Sequence, residues 1–67
     1  MTKREARIIV ANFIYNDYLL NVHNGGGVPP TEKRISFFLE ARDILSIDEY
    51  RKISADETTR FKKQYDL

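Results

Sequence analysis

The segment of residues 24–30 constrains the fold of this chain more than any other feature. It contains three consecutive glycines, followed closely by two consecutive prolines. Glycine is unfavourable inside a helix, and proline breaks a helix because it lacks a backbone N–H and clashes with the preceding turn. The segment therefore predicts a Gly/Pro loop that divides the chain into residues 1–24 and 31–67.

The length of 67 residues fits one small domain, residues 1–67, in which about 60% of the unfolded chain's surface can be buried. The chain has no cysteine, which excludes disulfides and thiolate metal sites and fits a reducing cytoplasm. A single histidine gives no support to a zinc centre. We therefore expect a cytoplasmic domain that binds no cofactor and no metal.

The first half of the chain predicts one long helix over about residues 3–23. Thr2 and Glu5 form a Thr-x-x-Glu capping box, and no proline or glycine follows before Gly25. At helical spacing the apolar residues fall on two stripes rather than one. The first stripe contains Ala6, Ile9, Val10, Phe13 and Leu20, and the second contains Ile8, Ala11, Ile14, Tyr15, Tyr18, Leu19 and Val22. A helix with two apolar faces is expected to be central in a bundle or shared with a partner.

The second half predicts two or three further helices. Thr31 follows the prolines and is a favourable N-cap for a helix over about residues 31–45. Capping boxes begin at Ser46 and again at Ser54, which predicts a short helix at 47–53 and a last helix at 55–66. The fold class is therefore all-α, a small bundle of three to four helices. Its expected core contains Phe13, Phe38, Leu45 and Phe61.

Nothing in the sequence points to catalysis. The glycines could let a ligand approach the backbone in a binding loop at Gly25–Gly27, but no phosphate-loop pattern is present, and a hinge between antiparallel helices is favoured. His23 has no nearby acid or nucleophile and is better explained by the end of a helix. The acidic pairs at 48–49 and 56–57 open predicted helices, as the helix dipole favours. We expect a non-enzymatic protein.

A nucleic-acid-binding regulator is the alternative hypothesis. Residues 47–66 could form a helix-turn-helix-like unit whose last helix presents four polar side chains to DNA: Thr59, Arg60, Lys63 and Gln64. Eleven basic and ten acidic residues give a net charge of +1, which lacks the usual basic footprint. Two acids also stand at the helix end that would enter the groove. Nucleic acid is therefore the less favoured partner.

A protein partner is the favoured hypothesis. Asn12, Asn16 and Asp17 interrupt the apolar run near the start, which argues against a signal peptide or a membrane span. Small, near-neutral chains without cysteine are, by analogy, typical of accessory regulators such as those of phages and mobile elements. The second stripe of the first helix is the expected interface, with a homodimer as one solution. Its tentative residues are Ile8, Tyr15, Tyr18, Leu19 and Val22.

Overall fold

The computed structural model describes residues 1–23 and 27–65, except for the side chains of residues 22 and 23. These residues form helix α1 (Lys3–Tyr18), a π-helical turn (Leu19–His23), helix α2 (Glu32–Ile44) and helix α3 (Ile47–Tyr65). The molecule measures 32 × 25 × 15 Å. The prediction of a small all-α bundle is confirmed.

The helices begin where their capping residues predict. Thr2 Oγ1 accepts a 3.1 Å hydrogen bond from the backbone N–H of Glu5, whose carboxylate accepts one from the backbone N–H of Thr2. Ser46 and Glu49 form the same reciprocal pair at the start of α3, at 3.1 and 3.2 Å. Thr31 caps α2 through a 3.2 Å hydrogen bond from the backbone N–H three residues later. These bonds satisfy backbone donors that a helix start leaves without partners.

The predicted break at Ser54 is absent, because α3 continues as one helix from Ile47 to Tyr65. The prediction of two separate helices at 47–53 and 55–66 was therefore wrong. A capping box starts a helix only where the chain has first left helical geometry, and no glycine or proline stands nearby to interrupt the preceding turn. The carbonyl of Ser54 instead accepts a 2.8 Å hydrogen bond from the hydroxyl of Thr58, one turn later.

Helix α1 lies between the other two helices, which is one of the two arrangements that its apolar stripes allow. Contacts between helices are extensive for α1 with α2 and for α1 with α3. The buried centre of the bundle contains Ala6 and Val10 of α1 together with Ala41 and Leu45 at the end of α2. The residues packed around that centre are Ile9, Ile14, Phe38, Ile44, Tyr50 and Ile53. Helix α2 is thus antiparallel to α1, since its last turn meets the first turns of α1.

Two of the four predicted core residues are less buried than expected. Leu45 and Phe61 are buried, but Phe13 and Phe38 are half-buried. Their rings stack on each other with centroids 4.2 Å apart, at the junction of α1 and α2. Phe13 remains partly exposed because it borders an open groove between these helices.

The core ends where one face of α1 changes from apolar to polar. Val10 and Ile14 occupy this face in the packed half, and Asp17 and Asn21 continue it beyond. Both polar residues are exposed, and Asn21 donates a 2.7 Å hydrogen bond to the carboxylate of Asp17. The end of α1 is therefore contacted at its sides but not on this face.

Candidate functional site

A groove of about 500 Å3 opens between α1 and the start of α2. Its lining combines apolar side chains with two amides and one guanidinium. The lining residues are Ile9, Asn12, Phe13, Asn16, Pro30, Arg34 and Phe37. We call this feature the α1–α2 groove. Concave surfaces with apolar walls and a few polar groups are typical of binding sites.

The chain that enters α2 is fixed to α1 by the amide of Asn16. Its nitrogen donates a 2.7 Å hydrogen bond to the carbonyl of Val28, and its oxygen accepts a 3.0 Å bond from the backbone N–H of the same residue. A side chain thus pairs with backbone as a neighbouring strand would. These two hydrogen bonds hold the segment before Pro30 at one end of the groove.

Gly27 completes this attachment because it lies against the backbone of α1 and of the π-helical turn that follows it. A Cβ atom at Gly27 would stand 2.5 Å from the nitrogen of Leu20 and 2.7 Å from the carbonyl oxygen of Asn16. No side chain fits at these distances without movement of backbone. The third glycine of the loop is therefore required by close approach, whereas residues 24–26 lie outside the described part of the chain.

The exposed groups along the groove are an aromatic ring, a charge and an amide. Phe37 is 43% exposed although it is a large apolar residue. Arg34 is exposed and forms no ion pair with any residue that the structure describes. Asn12 is exposed, and its side chain makes no hydrogen bond within the described residues. Such an arrangement can bind a ligand, but it contains no acid–base pair and no nucleophile.

The opposite side of α1 carries a closed cluster of aromatic side chains. Phe61 of α3 is at its centre and is 2% exposed. Tyr18 stacks on it at 5.2 Å between ring centroids, Tyr15 meets it edge-on at 6.0 Å, and Tyr65 lies at 4.9 Å. We call Tyr15, Tyr18, Phe61 and Tyr65 the aromatic cluster. It joins α1 to α3.

The tyrosine hydroxyls of α1 are used inside the molecule. Tyr18 Oη lies 2.6 Å from Thr58 Oγ1. Because Thr58 donates its single proton to the carbonyl of Ser54, Tyr18 must be the donor of this bond. Tyr15 donates its hydroxyl to Gln64 Oε1. Partial removal from water, followed by the influence of Tyr65, raises the pKa of Tyr15 above its ordinary value.

The residues of the predicted interface stripe therefore differ in their exposure and in their contacts with α3. Tyr15 and Tyr18 were expected at an interface with a partner, and in the monomer each is half-buried with its ring against Phe61 of α3. Their place at an interface stays a prediction. Ile8 is 52% exposed, Leu19 is half-buried, and the side chain of Val22 lies outside the described part of the chain.

The predicted nucleic-acid residues are also largely engaged within the molecule. The guanidinium of Arg60 lies 4.3 Å from the ring centre of Tyr15 and pairs with Glu57 at 3.3 Å. Thr59 donates its hydroxyl to a backbone carbonyl of α3, and Gln64 accepts from Tyr15, while Lys63 is exposed. The turn that a helix-turn-helix requires is replaced by continuous helix.

The remaining sequence hypotheses concern groups at the edge of the described structure. The side chain of His23 and residues 25–26 lie outside it, so the roles predicted for them stay predictions. No three acidic side chains come together as a metal site among the side chains that the structure describes. Among the helices described, none has the length and apolar character needed to cross a bilayer.

Sequence reasoning did not find the α1–α2 groove. Its signal was present in Asn16, a polar residue between the two apolar stripes, and in the uninterrupted apolar run from Phe37 to Leu39. One helix cannot bury three successive large side chains on one face.

No protein-family model, curated protein or solved structure matches this chain.

Proposed function

We propose that this protein acts as a non-enzymatic regulator or adaptor that binds another protein through the α1–α2 groove. The observation that carries the proposal is the half-exposed ring of Phe37 beside an open apolar cavity. Large aromatic side chains at the wall of a concave surface are characteristic of protein-binding hot spots. A chain without cysteine is suited to the reducing cytoplasm, where we expect it to act.

The groove favours a partner segment of particular chemistry. Ile9, Phe13 and Phe37 provide an apolar surface for one or two large apolar side chains. Arg34 is the lining cation, and no acid among the described residues neutralises it. A carboxylate next to the apolar anchor would pair with this guanidinium, which binds carboxylates in a two-pronged geometry. The amide of Asn12 can hydrogen-bond to the backbone of the segment.

The attachment of the segment before α2 to α1 supports a binding role for the groove, because one wall of the groove is held by specific contacts. The two hydrogen bonds of Asn16 and the close fit of Gly27 hold Pro30 in place at one end of the groove. A cavity with fixed walls loses less conformational entropy when it is filled than one that must first be ordered.

Selection from a displayed library of random peptides on the immobilised full chain tests this function. We expect enriched peptides to contain a large apolar residue close to an acidic one. Phe37→Gln should weaken their binding by about tenfold or more, since it removes a central apolar contact. Arg34→Glu should weaken it further for acidic peptides and change which peptides are enriched.

Leu39→Gln is the matched control. Leu39 is on the same helix and is 41% exposed, close to the value of Phe37, but it does not line the groove. Peptide binding should therefore survive this change. Failure of the library to yield peptides, or equal loss of binding in both variants, would reject the groove as the binding site.

A further inference from the structure

A second surface, on the outer side of α2, is separate from the groove. It contains Glu32, Ile35, Leu39 and Arg42, which follow one another at intervals of three, four and three residues. This spacing is that of the inner positions of a coiled coil, so the four side chains form one straight seam. We call them the α2 seam. All four residues are exposed, including the two large apolar ones, Ile35 at 40% and Leu39 at 41%.

The α2 seam is complementary to the same seam of a second copy when the two α2 helices run antiparallel. Its apolar pair is in the middle, with an acid at the first end and a base at the other. In an antiparallel pair of α2 helices, Ile35 of one copy meets Leu39 of the second, and Glu32 meets Arg42 of the second copy. The arrangement is two-fold symmetric, so the same contacts occur twice.

We infer from this pattern that the chain self-associates through the α2 seam as an antiparallel two-fold dimer. A closed two-fold pair is the usual solution for a surface that complements itself. Neither Glu32 nor Arg42 forms an ion pair with a described residue of its own chain. The guanidinium of Arg42 lies 5.9 Å from the ring centre of Phe38, and the residue is exposed.

The contact is small, and the dimer is accordingly weak. The seam covers about three helical turns, which corresponds to the low end of protein interfaces. We expect a dissociation constant between about 1 µM and 1 mM. Asp43 follows Arg42 and comes close to Glu32 of the second copy, so the charged ends determine the orientation more than they strengthen the dimer.

This inference goes beyond the proposed function because it uses a different face of α2. The tyrosines of the second α1 stripe are half-buried against α3, whereas the apolar residues of the α2 seam are exposed. The two proposals can fail independently, since no residue of the α2 seam lines the α1–α2 groove.

Sedimentation equilibrium of the full chain up to about 1 mM tests the dimer. Leu39→Gln should weaken the dimer by about tenfold or more, because two-fold symmetry places the changed residue in the interface twice. Phe37→Gln, with nearly the same exposure on the same helix, should leave the dimer unchanged. A chain that stays monomeric over the whole range, or a dimer that Leu39→Gln does not weaken, would overturn the inference.

Charge exchange tests the antiparallel orientation. Glu32→Arg and Arg42→Glu should each weaken the dimer by severalfold, since each change places like charges together in both symmetry-related pairs. The double variant should restore the dissociation constant to near that of the parent. Thermal melting of each variant at low concentration checks that the monomer is still folded. If the double variant is as weak as the sum of the two single ones, the antiparallel pairing is wrong.

Discussion

The two sides of α1 are packed against helices in different ways. Toward α3, the aromatic cluster closes around Phe61, whose exposed fraction is 2%. Toward the start of α2, the stacked pair of Phe13 and Phe38 stays half-buried beside a groove of about 500 Å3. Both sides use aromatic rings, but only the α3 side encloses one of them almost completely, and only the α2 side borders the groove.

The difference lies in what surrounds the rings. On the α3 side, Tyr15 and Tyr18 fill the outer layer, and their hydroxyls bond to Gln64 and Thr58. Tyrosine suits such a place because its ring can be buried while its hydroxyl finds a polar partner. On the α2 side, the outer layer is the segment before Pro30, which approaches α1 through backbone and supplies little side chain. The opening is therefore a consequence of replacing a helix by a glycine- and proline-containing segment.

Removal of the enclosed ring on the α3 side and of the exposed groove ring on the α2 side should give the largest difference. Phe61→Ala should lower the free energy of unfolding by about 3–5 kcal/mol, because it empties the middle of the aromatic cluster. In a domain of this size that is most of the stability, so the variant should be largely unfolded. Phe37→Ala should cost less than about 1 kcal/mol, since the ring is at the surface. Urea denaturation followed by circular dichroism measures both.

The tyrosine fluorescence of these two variants provides a second readout. Phe61→Ala should change the emission of Tyr15 and Tyr18, which contact the ring, whereas Phe37→Ala should leave it as in the parent. Equal destabilisation by the two changes would mean that the groove side is as tightly packed as the cluster side. The comparison between them would then be wrong.

The attachment that shapes the open side should be sensitive to one methyl group. Gly27→Ala places a Cβ atom within 2.8 Å of backbone atoms of Asn16 in α1 and Leu20 in the π-helical turn, so the segment must shift away. We expect a loss of about 1–3 kcal/mol, as for other overpacked sites. The groove should change shape as well, which NMR chemical shifts of Arg34 and Phe37 would detect.

Val28→Ala is the control for this change. Val28 is exposed, and the hydrogen bonds to Asn16 involve its backbone, so the smaller side chain should leave both stability and groove intact. A fully stable Gly27→Ala would show that the segment can move without cost. The open side would then be flexible rather than held.

The sequence was sufficient to predict the helices because their ends are set by local chemistry. Thr2, Thr31 and Ser46 all cap helices as predicted, since each bond joins residues three apart. Ser54 carries the same pattern without a helix start, because a local pattern does not show whether the preceding turn is helical. The two apolar stripes of α1 allowed either a central place in the bundle or a shared surface with a partner, and in the structure α1 contacts both other helices.

The groove and the fate of the tyrosines depend on contacts between distant residues. Tyr18 meets Thr58 across forty positions of sequence, and Asn16 meets Val28 across a loop whose conformation the glycines do not specify. Tyr15 was expected at an interface because it lies on the second apolar stripe of α1 and because tyrosine suits an interface. The stripe did not show that Phe61 and Gln64 of α3 would contact it.

The smallest expected effect is a pH dependence restricted to the α3 side. Glu49 accepts a 3.2 Å hydrogen bond from the backbone N–H of Ser46 at the start of α3. The ammonium of Lys3 in α1 lies 3.2 Å from the same carboxylate. The bond from the backbone of Ser46, then its side chain and Lys3, lowers the pKa of Glu49 below its ordinary value of 4.5. A carboxylate with a lowered pKa in the folded state stabilises the protein above its unfolded pKa, and this contribution is lost as the pH falls through the folded pKa.

Glu49→Gln should therefore be less stable than the parent at neutral pH, and the difference should shrink in acid, where the parent's side chain is also uncharged. Thermal melting from neutral to acidic pH measures this convergence. Glu40→Gln, which changes an exposed glutamate of α2 with no ion pair among the described residues, should follow the parent at every pH. Added salt should weaken only the part that Lys3 contributes, because exposed ion pairs are screened while the capping hydrogen bonds are not. A difference that persists unchanged into acid would mean that Glu49 acts through its shape, and that charge does not distinguish the two sides of α1.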